Sequence, residues 1–234
     1  MNTFHAKLLA ELQKYEGNGT THSGSDSYLS SGHFYYSVSV PVKRAIAKDW
    51  VKGHKDIPTA QLLLLLNSLF TGKSYEEKTL AGILLGYFPK QRGEIEPAML
   101  DTWLNNLVGW AEIDTLCQST YSAKELLSHW RVWKRLLIQF SKDPNISKRR
   151  ASLVLLTGPV SNSDDKELEK FTFQVIDTLK SEKDILITKA ISWLLRSLVK
   201  FHKEDVRTYV EANKNSLPKI AIRETMRKIE TGRK

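Results

Sequence analysis

The chain has 234 residues, 41% of them apolar and 26% charged, which is a globular composition with ample length for a core. Its single cysteine, Cys117, excludes an intrachain disulfide framework, and its longest leucine run, Leu62–Leu66, is too short to span a bilayer. A formal net charge of +9 points toward polyanionic partners.

Met1–Glu16 is amphipathic and stops at Gly17; it has no continuous apolar stretch of the secretory kind, so a cytoplasmic protein is expected. Asn18–Gly32 is rich in Gly, Ser and Thr and reads as a loop. "FYYSVSVPV" alternates like a strand but has no partner strand, so it is predicted to be an extended connector. Pro41 suits the first turn of a helix running to about Lys52, and Pro58 opens another that runs to Gly72. Ser74 and Glu77 have capping-box spacing at the head of a helix ending near Phe88–Pro89. Further helices are predicted over about Glu96–Val108, Ala111–Thr120, Ala123–Lys142, Ser147–Leu156, Asp164–Leu179, Asp184–His202, Lys203–Asn213 and Leu217–Thr231.

The expected fold is therefore all-α. Helices of 10–20 residues joined by short turns suit a bundle or a stack of helix pairs. Pairs at roughly 35–45-residue spacing favour a single HEAT-like helical-repeat solenoid over residues 1–234, with a concave basic groove.

The charge is clustered. Lys124–Arg150 holds eight cations and two anions, and Lys219–Lys234 holds six cations against Glu224 and Glu230. Such clusters suit nucleic acid or an acidic surface, and they also occur as plain solvated faces. Lys148, Arg149 and Arg150 fall in the first turn of a helix, where cations oppose the dipole; three together suggest an anionic ligand nearby.

The tryptophans sort by helical register. Leu126, Trp130, Trp133, Leu137 and Phe140 form one apolar stripe, which places both indoles in the core. Ile187, Ile191, Leu194 and Leu198 form another, and Trp193 lies off it, among Lys189, Arg196 and Lys200. Packing against a neighbouring helix and contact with a ligand are both open for that indole. In "GWAEIDTLC", Trp110 and Asp114 share a face at i, i+4, while Ile113, Leu116 and Cys117 supply the buried side. Asp114 reads either as a helix-dipole residue or as a site carboxylate. No phosphate-cradling glycine loop, metal-ligand spacing or nucleophile triad is present in the sequence.

"GWAEIDTL", "KRRASLVLL" and "KAISWLLR", in that order, resemble the AlkD-type DNA alkylation repair proteins, which are HEAT-like-repeat DNA glycosylases removing N3- and N7-alkylated purines. The resemblance runs from about Tyr28 to Lys228. It implies Asp114 as the catalytic carboxylate, Trp110 and Trp193 as active-site indoles, Arg150 as a DNA-backbone contact and Tyr28 at the lesion. Arg149, Lys148, Lys189 and Arg196 join the expected DNA-binding set. The sequence departs from the family pattern at Ala111, where an Asp usually follows the Trp, and at Gly109, where an aromatic often precedes it. The implied chemistry is hydrolysis of the N-glycosidic bond of a cationic purine in double-stranded, alkylated DNA, by a monomer, with no metal or organic cofactor. A binder of damaged or branched DNA that does not excise, and a helical-repeat scaffold for an acidic protein, are the alternative readings.

Overall fold

The computed structural model describes residues 2–19, 31–118 and 120–232. Among these residues there are thirteen helices and no strand; a lone bridge between Phe34 and Ser74 is the sole β-type pairing. The all-α expectation holds, and it is consistent with a helical-repeat fold. None of the helices among these residues is long and apolar enough to cross a membrane. The chain divides into two compact units, Met1–Leu116 and Cys117–Lys234.

The first unit contains α1 (Thr3–Gln13), α2 (Val40–Gly53), α3 (Thr59–Phe70), α4 (Tyr75–Tyr87), α5 (Pro89–Glu94), α6 (Met99–Leu104) and α7 (Gly109–Cys117), whose last residue falls across the boundary. Helix α4 is its axis, buried almost all round from Tyr75 to Leu85 and packed against α2 and α3. The predicted capping box is made: Ser74 Oγ accepts from the Glu77 N–H, and Glu77 Oε2 accepts from the Ser74 N–H at 2.8 Å. The other Glu77 oxygen lies 2.7 Å from Nε2 of buried His5, which fastens α1 to the head of α4. Residues 33–39 form the connector that the alternation suggested, outside any helix or strand and turned at Ser37, whose φ is +56°. The helix expected over Glu96–Val108 is shorter, because Asn105–Val108 leaves the helix ahead of Gly109, whose φ is +75°. A left-handed backbone there costs glycine nothing and costs other residues roughly 1–2 kcal/mol.

The second unit contains α8 (Ala123–Ser128), α9 (Trp130–Ser141), α10 (Ile146–Ser161), α11 (Lys166–Leu179), α12 (Ile185–Ala212) and α13 (Lys219–Thr231). Helix α10 is the buried axis here, packed chiefly on α12 and also on α9 and α11. The single helix expected over Ala123–Lys142 is broken at His129 (φ −126°, ψ 40°), the shared cap of α8 and α9. That break takes Trp130 off the continuous stripe. It is only partly buried, edge-on to Phe171 at 5.0 Å, whereas Trp133 is 2% exposed. The boundary expected after His202 appears as a kink inside α12, where His202 has φ −126° and ψ 39°.

The α12 stripe of Ile187, Ile191, Leu194 and Leu198 is fully buried, and off-stripe Trp193 is partly exposed. Trp133→Ala should therefore cost about 3–5 kcal/mol of stability and Trp193→Ala nearer about 1 kcal/mol in urea unfolding. Equal losses would make Trp193 a packing residue.

Candidate functional site

In the first unit the candidate site residues Trp110 and Asp114 stand on α7. Ile113, Leu116 and Cys117 anchor the helix in the core with 0%, 0% and 1% of their surface exposed. Its first turn carries Trp110 and its second Asp114, so the indole and the carboxylate stand one turn apart on one face. Asp114 is 8% exposed, a degree of burial that a carboxylate tolerates only with donors to hold it. Trp110 is partly buried and packs, with Tyr35, against a cluster of Tyr75 and Ala111. Ala111 thus contributes a small apolar surface where the family pattern has a carboxylate.

Close packing fixes this helix. A Cβ at Gly82 of α4 would lie 2.8 Å from the Thr115 carbonyl oxygen, so glycine is required there for α4 and α7 to approach. Glu112, 1% exposed, is a second anchor. Its Oε2 accepts from the Val108 N–H at 2.9 Å and its Oε1 lies 2.7 Å from Nδ1 of His33. Burial pushes the Glu112 carboxyl up, opposed by the Val108 N–H, His33 and Lys78.

The connector before α2 is latched to the same region. Glu76, fully buried, accepts from the Tyr36 and Val38 N–H groups at 3.0 and 3.2 Å, and the Tyr75 N–H donates to the Phe34 carbonyl at 2.9 Å. Lys43 lies behind the Tyr75 ring, 4.2 Å from its centroid, with Nζ donating to Thr79 Oγ1 at 2.8 Å. Burial pushes Lys43 down to about 8, against the pull of Glu76 and Glu112. Tyr35 lies 5.3 Å from Tyr75, and its hydroxyl bonds Ser31.

Sequence reasoning passed over Glu112, His33, Lys43, Tyr35 and Tyr75. A signal was present for two of them: a tyrosine in the aromatic-dense connector, and an acidic residue in the first turn after a helix-breaking glycine. Lys43 and His33 carried none, since their meaning is their partners.

In the second unit, Trp193 and Arg196 are partly exposed on α12 and Lys189 is exposed. Arg196 Nη2 lies 3.4 Å from Glu224 of α13, and its Nε donates to the Ser192 carbonyl at 3.1 Å. The basic turn that opens α10 has partners in its own chain. Lys148 lies 3.6 Å from Asp143, and Arg149 lies 2.8 Å from Glu182 and donates to the Asp143 and Pro144 carbonyls. Arg150, 5% exposed, donates to the Leu186 carbonyl. Some of the anionic complement that this turn called for is therefore Asp143 and Glu182. Tyr28 lies outside the described residues.

Residues 8–229 match the DNA alkylation repair enzyme family. The chain belongs to that family. Its function is accordingly in DNA alkylation repair, and DNA is its partner. Comparison with curated proteins gives no match. Among solved structures, a protein described as a predicted DNA alkylation repair enzyme from Enterococcus faecalis superposes with a TM-score of 0.67 at 16% identity, covering 98% of this chain and 97% of that one. At that identity the likeness is one of fold.

Lys43 gives this alkylation repair protein a testable pH signature. Its folded pKa is lowered, so the cost of holding the ammonium buried is fully present below about 8 and disappears above the ordinary lysine value of 10.5. The lysine contribution therefore rises with pH across that window, by up to about 3 kcal/mol. In urea unfolding from pH 7.5 to 10.5, wild type should gain stability relative to Lys43→Met. A difference flat in pH would mean that the amine is solvated in the folded chain.

Proposed function

We propose that the protein hydrolyses the N-glycosidic bond of N3- and N7-alkylated purines in duplex DNA. The observation that carries this reading is Asp114, a buried carboxylate one helical turn from a partly buried indole, in a chain of the alkylation repair family. Alkylation at N3 or N7 makes the purine cationic and a good leaving group. As the C1′–N bond breaks, its electron pair leaves with the base and positive charge develops on the deoxyribose. A fixed carboxylate stabilises that charge and orients the water, which adds hydroxide to C1′ and releases a proton. Desolvation and locked geometry make Asp114 suited to this work, because preorganised charge needs no rearrangement as the reaction proceeds.

Indole faces favour cations by roughly 0.5–2 kcal/mol, which supports Trp110 as a contact for the cationic lesion and, in the second unit, Trp193 for the same role. Lys189, exposed, and Arg196, partly exposed and paired with Glu224, lie on α12 with Trp193 and are assigned to phosphates. Arg150 is assigned to a phosphate by the family resemblance; its guanidinium is oriented by the Leu186 carbonyl. Lys148, Arg149 and Tyr28 complete the proposed DNA-binding set. The protein acts as a monomer in the cytoplasm in this reading.

Incubation with methylated duplex DNA should release free 7-methylguanine or 3-methyladenine, separable by chromatography. Asp114→Asn should lower single-turnover excision by about a hundredfold or more, the scale of losing one such electrostatic group, while DNA affinity holds or rises slightly. Near-normal excision would reduce Asp114 to a structural residue. DNA binding without base release by wild type would favour a binder that does not excise.

The phosphate contacts have their own test. Affinity for duplex DNA should fall with salt on a log–log slope of about −0.9 per phosphate neutralised, and Lys189→Ala should reduce that slope by about one unit. Binding indifferent to salt would overturn the DNA assignment of these cations.

A further inference from the structure

A second cluster of ionisable groups lies on α11 and α12, in the second unit, and the proposed reaction makes no use of it. Glu169, His202 and Asp205 each present a ligand atom, and these atoms all lie within 4.8 Å of one another. The three lone-pair donors converge on one cation, the ammonium of Lys166. Its Nζ lies 3.0 Å from Glu169 Oε2, 2.9 Å from Asp205 Oδ2 and 3.4 Å from His202 Nδ1. His202 Nδ1 also lies 3.4 Å from Glu169 Oε2, so the nitrogen faces both the ammonium and the carboxylate, and a neutral imidazole with its lone pair on Nδ1 is the form that binds metals. The kink at His202 is the point where α12 delivers this nitrogen, with Asp205 following three residues later.

Lys166 is an imperfect match for this cradle. Two carboxylates carry two negative charges, and one ammonium cancels only one. Glu169 is buried to 97%, yet its Oε1 has no hydrogen-bond donor. A buried carboxylate oxygen without a donor is costly, and Lys166 serves only the other oxygen. The Lys166 side chain is 62% exposed, so it can swing into water at little cost.

We infer that Glu169, His202 and Asp205 form a site for a divalent first-row metal ion, Zn2+ in particular, for which the Lys166 ammonium substitutes when no metal is bound. One imidazole and two carboxylates form a borderline donor set that zinc accepts, and two positive charges neutralise the pair of carboxylates. Zinc bonds to such ligands are about 2.0–2.2 Å, so the ligand atoms must draw together by about 1 Å. Asp205, with a side chain 55% exposed, has the freedom to make that movement. Glu169 bound through both oxygens, or a water, completes the coordination. No sequence spacing announced the site, because two ligands come from one helix and one from another.

The test uses the full chain, freed of metal by chelation, titrated with ZnCl2 by calorimetry and with CoCl2 by visible absorption. Wild type should take up one equivalent of Zn2+ and melt at higher temperature with it. Lys166→Gln removes the competing ammonium and should tighten binding by about tenfold or more; Asp205→Asn, an exposed change that leaves the fold intact, should weaken it by about tenfold or more. Thermal melts of the metal-free variants check their folding. Absence of one-to-one uptake by wild type at about 0.1 mM free Zn2+ would overturn the site, whatever Lys166→Gln does. Uptake unchanged in Asp205→Asn would place the ion elsewhere and overturn it equally. Base release plays no part in these readouts, so they stand apart from the excision assay.

Discussion

A carboxylate removed from water must be met by donors, and in the first unit this one requirement organises the region around α7. Glu76, Glu77 and Glu112 are all buried, and each accepts a hydrogen bond from a backbone N–H. Those N–H groups belong to Tyr36 and Val38 of the connector, Ser74 at the head of α4, and Val108 just before α7. The segments whose backbone would otherwise be free to wander are thus fixed by charges that have nowhere else to go. Leaving any such carboxylate without its donor costs about 1–3 kcal/mol, and more for a full charge. Lys43 and Lys78 supply the compensating positive charge from inside. Burial lowers the pKa of both, while the neighbouring glutamates draw it back up.

This arrangement gives α7 its rigidity, the property that the role proposed for Asp114 requires. Gly109 turns the chain into the helix with positive φ, Glu112 ties down its first turn, and Gly82 lets α4 press against the Thr115 carbonyl. A helix supported on three sides in this way holds Asp114 within narrow limits, which is what the proposed stabilisation of a short-lived sugar cation demands. Ala111 fits the same picture: it packs against Tyr75 where a charge would require yet another donor.

The second unit handles its charge differently. Its axis, α10, is apolar through most of its length, and the cations at its start are held by Asp143, Glu182 and backbone carbonyls. The basic run therefore overstates the free positive surface. Exposed cations of this unit lie elsewhere, among them Lys189 on α12, Lys124, Arg131, Arg135 and Lys142 on and around α8 and α9, and Lys219, Arg223 and Arg227 along α13. Surface charges of this kind attract polyanions at long range and are screened by salt.

Periodicity and chain chemistry determined much of this protein directly. The all-α class, the capping box at Ser74, the connector at residues 33–39, the buried stripe of α12 and the pairing of Trp110 with Asp114 on one face follow from local rules, because helical register and turn chemistry act over a few residues. The match of residues 8–229 to the alkylation repair family likewise rests on sequence. What tertiary structure alone decided is the fate of the ionisable groups. Whether Lys43 is buried behind Tyr75, whether His33 meets Glu112, whether Arg149 is spent on Glu182 and whether His202 and Asp205 reach Lys166 depend on residues 32 to 79 positions apart. The break at His129 belongs with them: local pattern read one helix through it, and packing of Trp130 on Phe171 accompanies two. Charge, unlike helical register, takes its meaning from the distance to other charges and to water, and only the folded chain sets those distances.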